Sequence, residues 1–438
     1  MSSLNPRKVS DAPKTHEGGR TVRKLSPSQQ LRRAVFAYLM FDQFYEEGQS
    51  IVDRIWDLAK QVSDNELLSI IDEARNEHNL RTVSVLLAVI MAKTRSGEVV
   101  RKAINVAIKR ADEISDFLSA YTNGQKVKFP NQVKKGLKDV FKTFSPYHLA
   151  RNQAKDKAWS LKDAIVMLHP KPIDTAQEQC FKAILDGKLA FPESWQTELS
   201  AGKDKKEVFT RLISESKLGA LDTLRNLRNM NDAGVDYKLM VTAINKINPK
   251  GILPFRYVAA ARNAPNMIQY LDAKMLESIA AMPKLSGLTA VLVDVSGSMR
   301  AKLSAKSDLT RMDAACALAV IVNSDMTRVF SFSNRVKEIV PVVKGLNGVD
   351  TIAKSQPNGG TELSEAVNFI NKTVDYDRLI VITDEQSSSN SLPATKAGKR
   401  GYMINVASYK NGVGYNQWVH IDGFSEAVIK YIHSLETI

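Results

Sequence analysis

From Ser26 to about Ala281, apolar positions recur at three- and four-residue intervals, the period of an α-helix with one buried stripe. SPSQQLRRAVFAYLMFDQFY (26–45) opens the run with a Ser-Pro start. IVDRIWDLAKQV (51–62), DNELLSIIDEARN (64–76), RTVSVLLAVIMAKT (81–94) and EVVRKAINVAIKRADEISDFLSAY (98–121) continue it, with breaks at Gly48, Ser63 and Gly97. After Pro130 the habit returns in NQVKKGLKDVFKTF, AQEQCFKAIL, KEVFTRLI, LGALDTLRNLRNM and YKLMVTAINKI. Many short helices joined by short polar turns predict either stacked helix pairs or an irregular helical bundle, and no clean repeat period separates the two.

The period changes near AMPKLSG (281–287). LTAVLVDV (288–295), TRVFSFSN (327–334), RLIVITDE (378–385) and YMINVAS (402–408) are short and β-branched, and they alternate with helix-like RMDAACALAVIVNSD, ELSEAVNFINKT and SEAVIKYIHSL. That alternation predicts a parallel sheet covered on both faces. The organisation expected is a basic, disordered tail over 1–25, an α-helical domain over 26–284 and a doubly wound α/β domain over 285–438.

Charge sharpens this division. Residues 1–284 hold 45 Lys and Arg against 32 Asp and Glu, whereas residues 285–438 hold 16 against 15. Nearly all of the net charge of +14 therefore belongs to the helical part, which points to a polyanionic partner, nucleic acid before acidic membrane. The two cysteines, Cys180 and Cys316, have no metal-site or disulfide-framework spacing and suggest a reducing, cytoplasmic setting. The amino-terminal stretch has no apolar signal core, and VSVLLAVIMA (83–92) is too short to span a bilayer.

Candidate chemistry gathers where strands end. VLVDVSGSM (291–299) places Asp294, Ser296 and Ser298 at the exit of a buried strand; NGGTE (358–362) brings Thr361 to a helix start; ITDEQ (382–386) puts Asp384 at another strand end. In an open parallel sheet such loops share the ligand-binding edge. An all-oxygen donor set selects a hard divalent cation, with Mg²⁺ the leading expectation. DVSGSM, a later Thr in a Gly-rich turn and a later TD together resemble the metal-ion-dependent adhesion site of von Willebrand factor A domains. No nucleophile or base accompanies these residues. His420 and His433 lie in other segments and read as core or surface histidines, so an enzyme is not expected.

In the helical part, SPYHLARNQAKDKAWSLKDAIVMLHPKPID (145–174) mixes Arg151, Lys155, Lys157, Lys162 and Lys171 with Trp159, His148 and His169, a composition suited to phosphate contacts and base stacking. LGALDTLRNLRNM (218–230) puts Arg225 and Arg228 on one helix face. KDKAWSLKD, LHPKP, LGALDTLRNLRNM and ILPFRYVAAARNAP, with GGRTVRKLSPSQQLRRAVFAYLM and FYEEG near the front, resemble the TROVE domain of the Ro RNA-binding protein family.

That resemblance implies a ring of HEAT-like helical repeats followed by a von Willebrand A domain. It also implies a monomeric ring that passes the single-stranded 3′ end of misfolded small RNA through its hole, binds Y or Y-like RNA on a basic outer surface, and serves RNA quality control or ribonucleoprotein scaffolding. Position by position, it carries RNA contact to Lys162 and His169, then to Arg151, Lys155 and Lys157, and turns Arg225 and Arg228 toward the cavity. Leu161 stands where family members often have a histidine. A second reading makes the chain a metal-dependent protein-interaction module, completed by a partner's carboxylate or an RNA-processing nuclease, with the helices only as scaffold.

Overall fold

The structure, a computed structural model, describes residues 26–36, 48–77, 80–154, 157–192, 194–249, 252, 254–282, 284–302, 309–386, 392–406, 418–422 and 427–436. The tail expected over 1–25, the end of the first helical run and Lys155 lie outside the described residues. The chain divides into two compact units: Gln49–Gly219 with Asn229–Met240, and the remainder.

The helices in chain order are α1 (Pro27–Phe36), α2 (Gly48–Ala59), α3 (Asp64–Asp72), α4 (Arg81–Thr94), α5 (Glu98–Ala107), α6 (Ala111–Thr122) and α7 (Asn131–Phe141). They continue with α8 (Pro146–Arg151), α9 (Leu161–Leu168), α10 (Thr175–Leu185), α11 (Trp195–Ser200), α12 (Lys205–Ser214), α13 (Ala220–Asp232), α14 (Tyr237–Asn245), α15 (Pro254–Asn263) and α16 (Ile268–Ala280). The apolar run on α4 is the core of its unit, with Val83 to Ala92 buried on almost every face, which is why it lacks the one-sided pattern of its neighbours.

One expected helix is two. The stretch 98–121 breaks between Ala107 and Ala111 because Glu113 turns back on the chain. Its carboxylate accepts from the backbone N–H groups of Lys109 (2.8 Å) and Arg110 (3.0 Å), so α6 starts anew there. The same buried carboxylate takes Arg75 at 3.1 Å and Arg81 at 2.7 Å. A glutamate this deep is tolerable only because cations and N–H donors surround it.

The second style of sequence builds one six-stranded sheet. Its strands are β1 (Leu285–Asp294), β2 (Ser324–Phe332), β3 (Val336–Ile339), β4 (Arg378–Thr383), β5 (Arg400–Asn405) and β6 (Val419–Asp422), in the order β3-β2-β1-β4-β5-β6. β3 alone runs antiparallel. Helices α17 (Arg311–Ile321), α18 (Gly345–Ala353), α19 (Leu363–Thr373) and α20 (Ala427–Glu436) complete it. The fold is thus helical followed by doubly wound α/β, as the two periodicities predict. Ala290, Leu292, Phe330, Phe332, Leu363, Val367, Ile370, Leu379 and Val381 form a continuous apolar core beneath one face.

The topology selects one crevice. The chain runs outward from β1 through β2 to β3, then returns to lay β4 on the other side of β1. β1 and β4 therefore flank the point where strand order reverses, and ligands bind beyond the carboxyl ends of such strands. Those ends are Asp294 and Thr383.

Candidate cation site and candidate RNA-facing surfaces

Asp294 closes β1 with no exposed surface. One carboxylate oxygen accepts from the Ser296 backbone N–H at 2.8 Å, the other from the Thr383 hydroxyl at 2.7 Å. The first bond folds the loop sharply so that Ser296 and Ser298 come side by side, their hydroxyl oxygens 3.2 Å apart. The second bond ties the exit of β1 to the exit of β4, where Asp384 is equally buried. Burial first, then the nearby Asp384 charge, push the Asp294 carboxyl well above the usual carboxylate range, against the pull of its two hydrogen bonds.

The Gly-rich loop docks onto the first by backbone contacts that side chains would obstruct. Gly297 donates to the Gly359 carbonyl at 3.1 Å, and the Asn358 amide donates to the Val295 carbonyl at 2.6 Å. Ser333 and Asn334, just past β2, hold Gly359 and Gly360 through bonds of 2.6 to 3.0 Å. A Cβ on Gly359 would lie 2.5 Å from the Asn334 side chain, so this position requires glycine. Thr361, half-buried, follows directly. The structure brings together all three loops that the sequence singled out.

As a donor set, Asp294, Ser296, Ser298, Thr361 and Asp384 offer only oxygen, with two buried carboxylates whose mutual repulsion a hard cation would relieve. Among the described residues no three His, Cys, Asp or Glu side chains cluster as a metal site; a set built on two carboxylates and hydroxyls is of a different kind.

Sequence reasoning missed the supports. Thr383, Asn358, Ser333 and Asn334 carry no motif of their own. Glu385 is fully buried, has a left-handed backbone (φ 58°), and pairs with His420 of β6 at 3.0 Å. His420, read as a core or surface histidine, is therefore a partner of the Asp384 loop. His433 lies in the last turn of α20.

The basic residues singled out in the helical part fall in both units. Arg151 ends α8, Lys162 lies in the first turn of α9, and Lys157, His169 and Lys171 flank α9; all are exposed. Lys157 pairs with Asp116. Arg225 and Arg228, three apart on α13, are also exposed, with Arg228 3.4 Å from Asn263.

Two of the quoted motifs have structural duties. In WSLKD, Ser160 and Asp163 form a reciprocal cap for α9, while the Trp159 indole donates to Thr122 at 3.2 Å and packs edge-on to Phe129. Leu161 is buried, so the departure from a family histidine falls in the core. His169, in LHPKP, ends α9 in a left-handed conformation (φ 49°).

Comparison with known proteins agrees with this architecture. The TROVE domain model matches residues 186–274, and the von Willebrand factor type A domain model matches residues 289–386. The crystal structure of the Ro (RSR) protein of Deinococcus radiodurans shares the fold at a TM-score of 0.64 and 17% identity, over 94% of this chain and 100% of that one. An aerotolerance-related membrane protein from Bacteroides fragilis, with multiple mutations to serines, aligns over 27% of this chain and 66% of its own at a TM-score of 0.21 and 16% identity. No curated protein matches the sequence. The chain thus pairs a TROVE domain with a von Willebrand factor type A domain, in agreement with its sequence resemblance to the Ro family.

Proposed function

We propose that the chain is a non-enzymatic RNA-binding protein whose helical part grips small non-coding RNA and whose sheet part holds a hard divalent cation. The observation that carries the RNA reading is the TROVE match over residues 186–274, which contains the exposed pair Arg225 and Arg228. The charge asymmetry of the sequence supports it: basic side chains contact phosphates and give affinity without sequence preference. Within this reading the helices form a ring. An unpaired 3′ end enters its hole, structured or misfolded RNA of Y-like type lies on the basic outer surface, and the protein serves RNA quality control or scaffolding in the cytoplasm.

At the sheet edge, Asp294, Ser296, Ser298, Thr361 and Asp384 would hold Mg²⁺. The cation would supply Lewis acidity toward an incoming oxygen ligand. The chain's own residues fix the loops, and a bound cation would favour the ionised form of Asp294 that burial and the Asp384 charge oppose. This arrangement favours the second reading as an addition, a metal-completed contact with a partner's carboxylate, possible alongside RNA binding because it uses other residues.

The test is a gel-shift titration of a hairpin bearing a single-stranded 3′ tail against the same hairpin made blunt. The tailed RNA is expected to bind at least about tenfold more tightly, the loss of several phosphate and base contacts being at stake. Equal affinities would overturn the threading part of the reading.

A further inference from the structure

Tyr147 is the most exposed aromatic ring among the described residues, with 51% of its surface open. The fold displays it deliberately. Ser145 caps α8 by accepting from the His148 N–H, Pro146 occupies the first turn, and buried Leu149 anchors the helix inward. With Leu149 inside, Tyr147, His148 and Arg151 are left on the outer face. The Tyr147 hydroxyl accepts from Arg151 Nη1 at 3.3 Å, and the His148 ring sits 6.0 Å away at an interplanar angle of 62°.

A second guanidinium, that of Arg110, meets the end of this helix at Asn152. Asn152 donates to the His148 carbonyl at 2.9 Å and accepts from Arg110 Nη2 at 2.8 Å. One carboxylate is present, since Asp112 takes Arg110 at 3.0 and 3.1 Å, whereas Arg151 donates to the tyrosine hydroxyl. An exposed ring tethered by its hydroxyl keeps its faces available, and guanidinium groups beside it match phosphates. Exposed tyrosines of this kind serve as base-stacking platforms in proteins that bind single strands.

We propose that Tyr147 stacks on an unpaired nucleobase of the bound RNA while Arg151 and Arg110 hold the adjoining phosphates. The charge of the patch favours a polyanion, and the open ring favours a flipped-out or single-stranded base over duplex, whose bases are already stacked. This inference rests on the RNA-binding reading above and adds to it a base-contacting residue.

The experiment is fluorescence anisotropy on the full chain with a labelled twelve-nucleotide single-stranded oligouridine and the same backbone carrying abasic sites. Wild type is expected to bind the base-bearing strand about tenfold more tightly than the abasic one. Tyr147→Ala should lower base-bearing affinity to the abasic level and leave abasic binding unchanged, while Tyr147→Trp and Tyr147→Phe keep the preference. A thermal melt checks that each variant is folded. Equal binding of base-bearing strand by wild type and Tyr147→Ala, or loss in Tyr147→Phe equal to that in Tyr147→Ala, overturns the stacking role and leaves RNA binding standing. Failure of wild type to bind either strand at low salt overturns the RNA reading as well.

Discussion

The imidazole Nε2 of His420 lies 3.0 Å from Oε2 of Glu385, so β6 latches the loop that presents Asp384. Glu385 is a non-glycine residue in the left-handed region, a conformation that costs on the order of 1 kcal/mol and persists where surrounding contacts enforce it. Its own N–H donates to the Thr383 hydroxyl at 3.0 Å, and that hydroxyl donates to Asp294. A chain of bonds therefore runs from β6 to the carboxylate of β1. His420→Phe is expected to weaken Mg²⁺ binding about tenfold, the usual effect of removing a residue that orients a ligand loop. Isothermal titration showing wild-type affinity in a folded variant would refute that role.

Asp294→Asn should have two effects of opposite sign. Removing one of two repelling buried carboxylates is expected to stabilise the cation-free protein by about 1 kcal/mol, while abolishing the rise in melting temperature that the proposed site predicts for the wild type in Mg²⁺. A melt in EDTA and in Mg²⁺ reads both. A variant that still gains stability from Mg²⁺ would place the cation elsewhere.

At the opposite end of the sheet, Arg378 grips Glu436 of α20 through bonds of 2.8 and 2.5 Å, and Tyr402 donates to the same carboxylate at 2.9 Å. Burial alone would raise the Glu436 carboxyl, but these hydrogen bonds and the Arg378 and Arg400 charges outweigh it and hold it below its ordinary 4.5. A lowered folded-state value means that the stabilisation is complete above that unfolded-state value and is lost as pH falls through the lower folded one. Glu436→Gln should therefore cost about 3 kcal/mol near neutral pH, by stranding a buried guanidinium. The gap from wild type should narrow below the unfolded-state value in denaturant titrations; a pH-independent gap would contradict the ion-pair account.

Leu161 is 1% exposed at the start of α9. Leu161→Ala should lose about 2–3 kcal/mol by leaving a cavity, and Leu161→His should be worse than a surface change, because an imidazole there needs a buried partner. Chemical denaturation decides it: a cost under about 0.5 kcal/mol for either variant, the range of surface changes, would mean that the site is not core.

What the sequence revealed follows from how local each signal is. The two periodicities announced helices followed by a parallel sheet. DVSGSM announced the loop at the exit of β1, because a strand end, a carboxylate and two hydroxyls are packed into six residues. Glu113, by contrast, breaks a helix through bonds to backbone groups, and nothing in the apolar spacing of 98–121 records that. β3 (VKEI) and β6 (VHID) are four residues each, too short for alternation to register. Helix α18, GLNGVDTIA, hides behind two glycines; a Cβ on Gly348 would lie 2.0 Å from the Val343 carbonyl, so close packing dictated that residue against helix propensity. The Glu385–His420 pair joins positions 35 residues apart and belongs to no motif.

The central claim is electrostatic: cations of the helical part hold the RNA backbone. It is tested most directly by measuring the affinity of wild type and of the Arg225→Ala/Arg228→Ala variant for a 3′-tailed hairpin between about 50 and 200 mM salt. The account predicts that wild-type affinity falls at least about tenfold over that range and that the variant binds more weakly with a slope shallower by about 1 to 2. Binding that is indifferent to salt, or absent at the lowest salt, would contradict it.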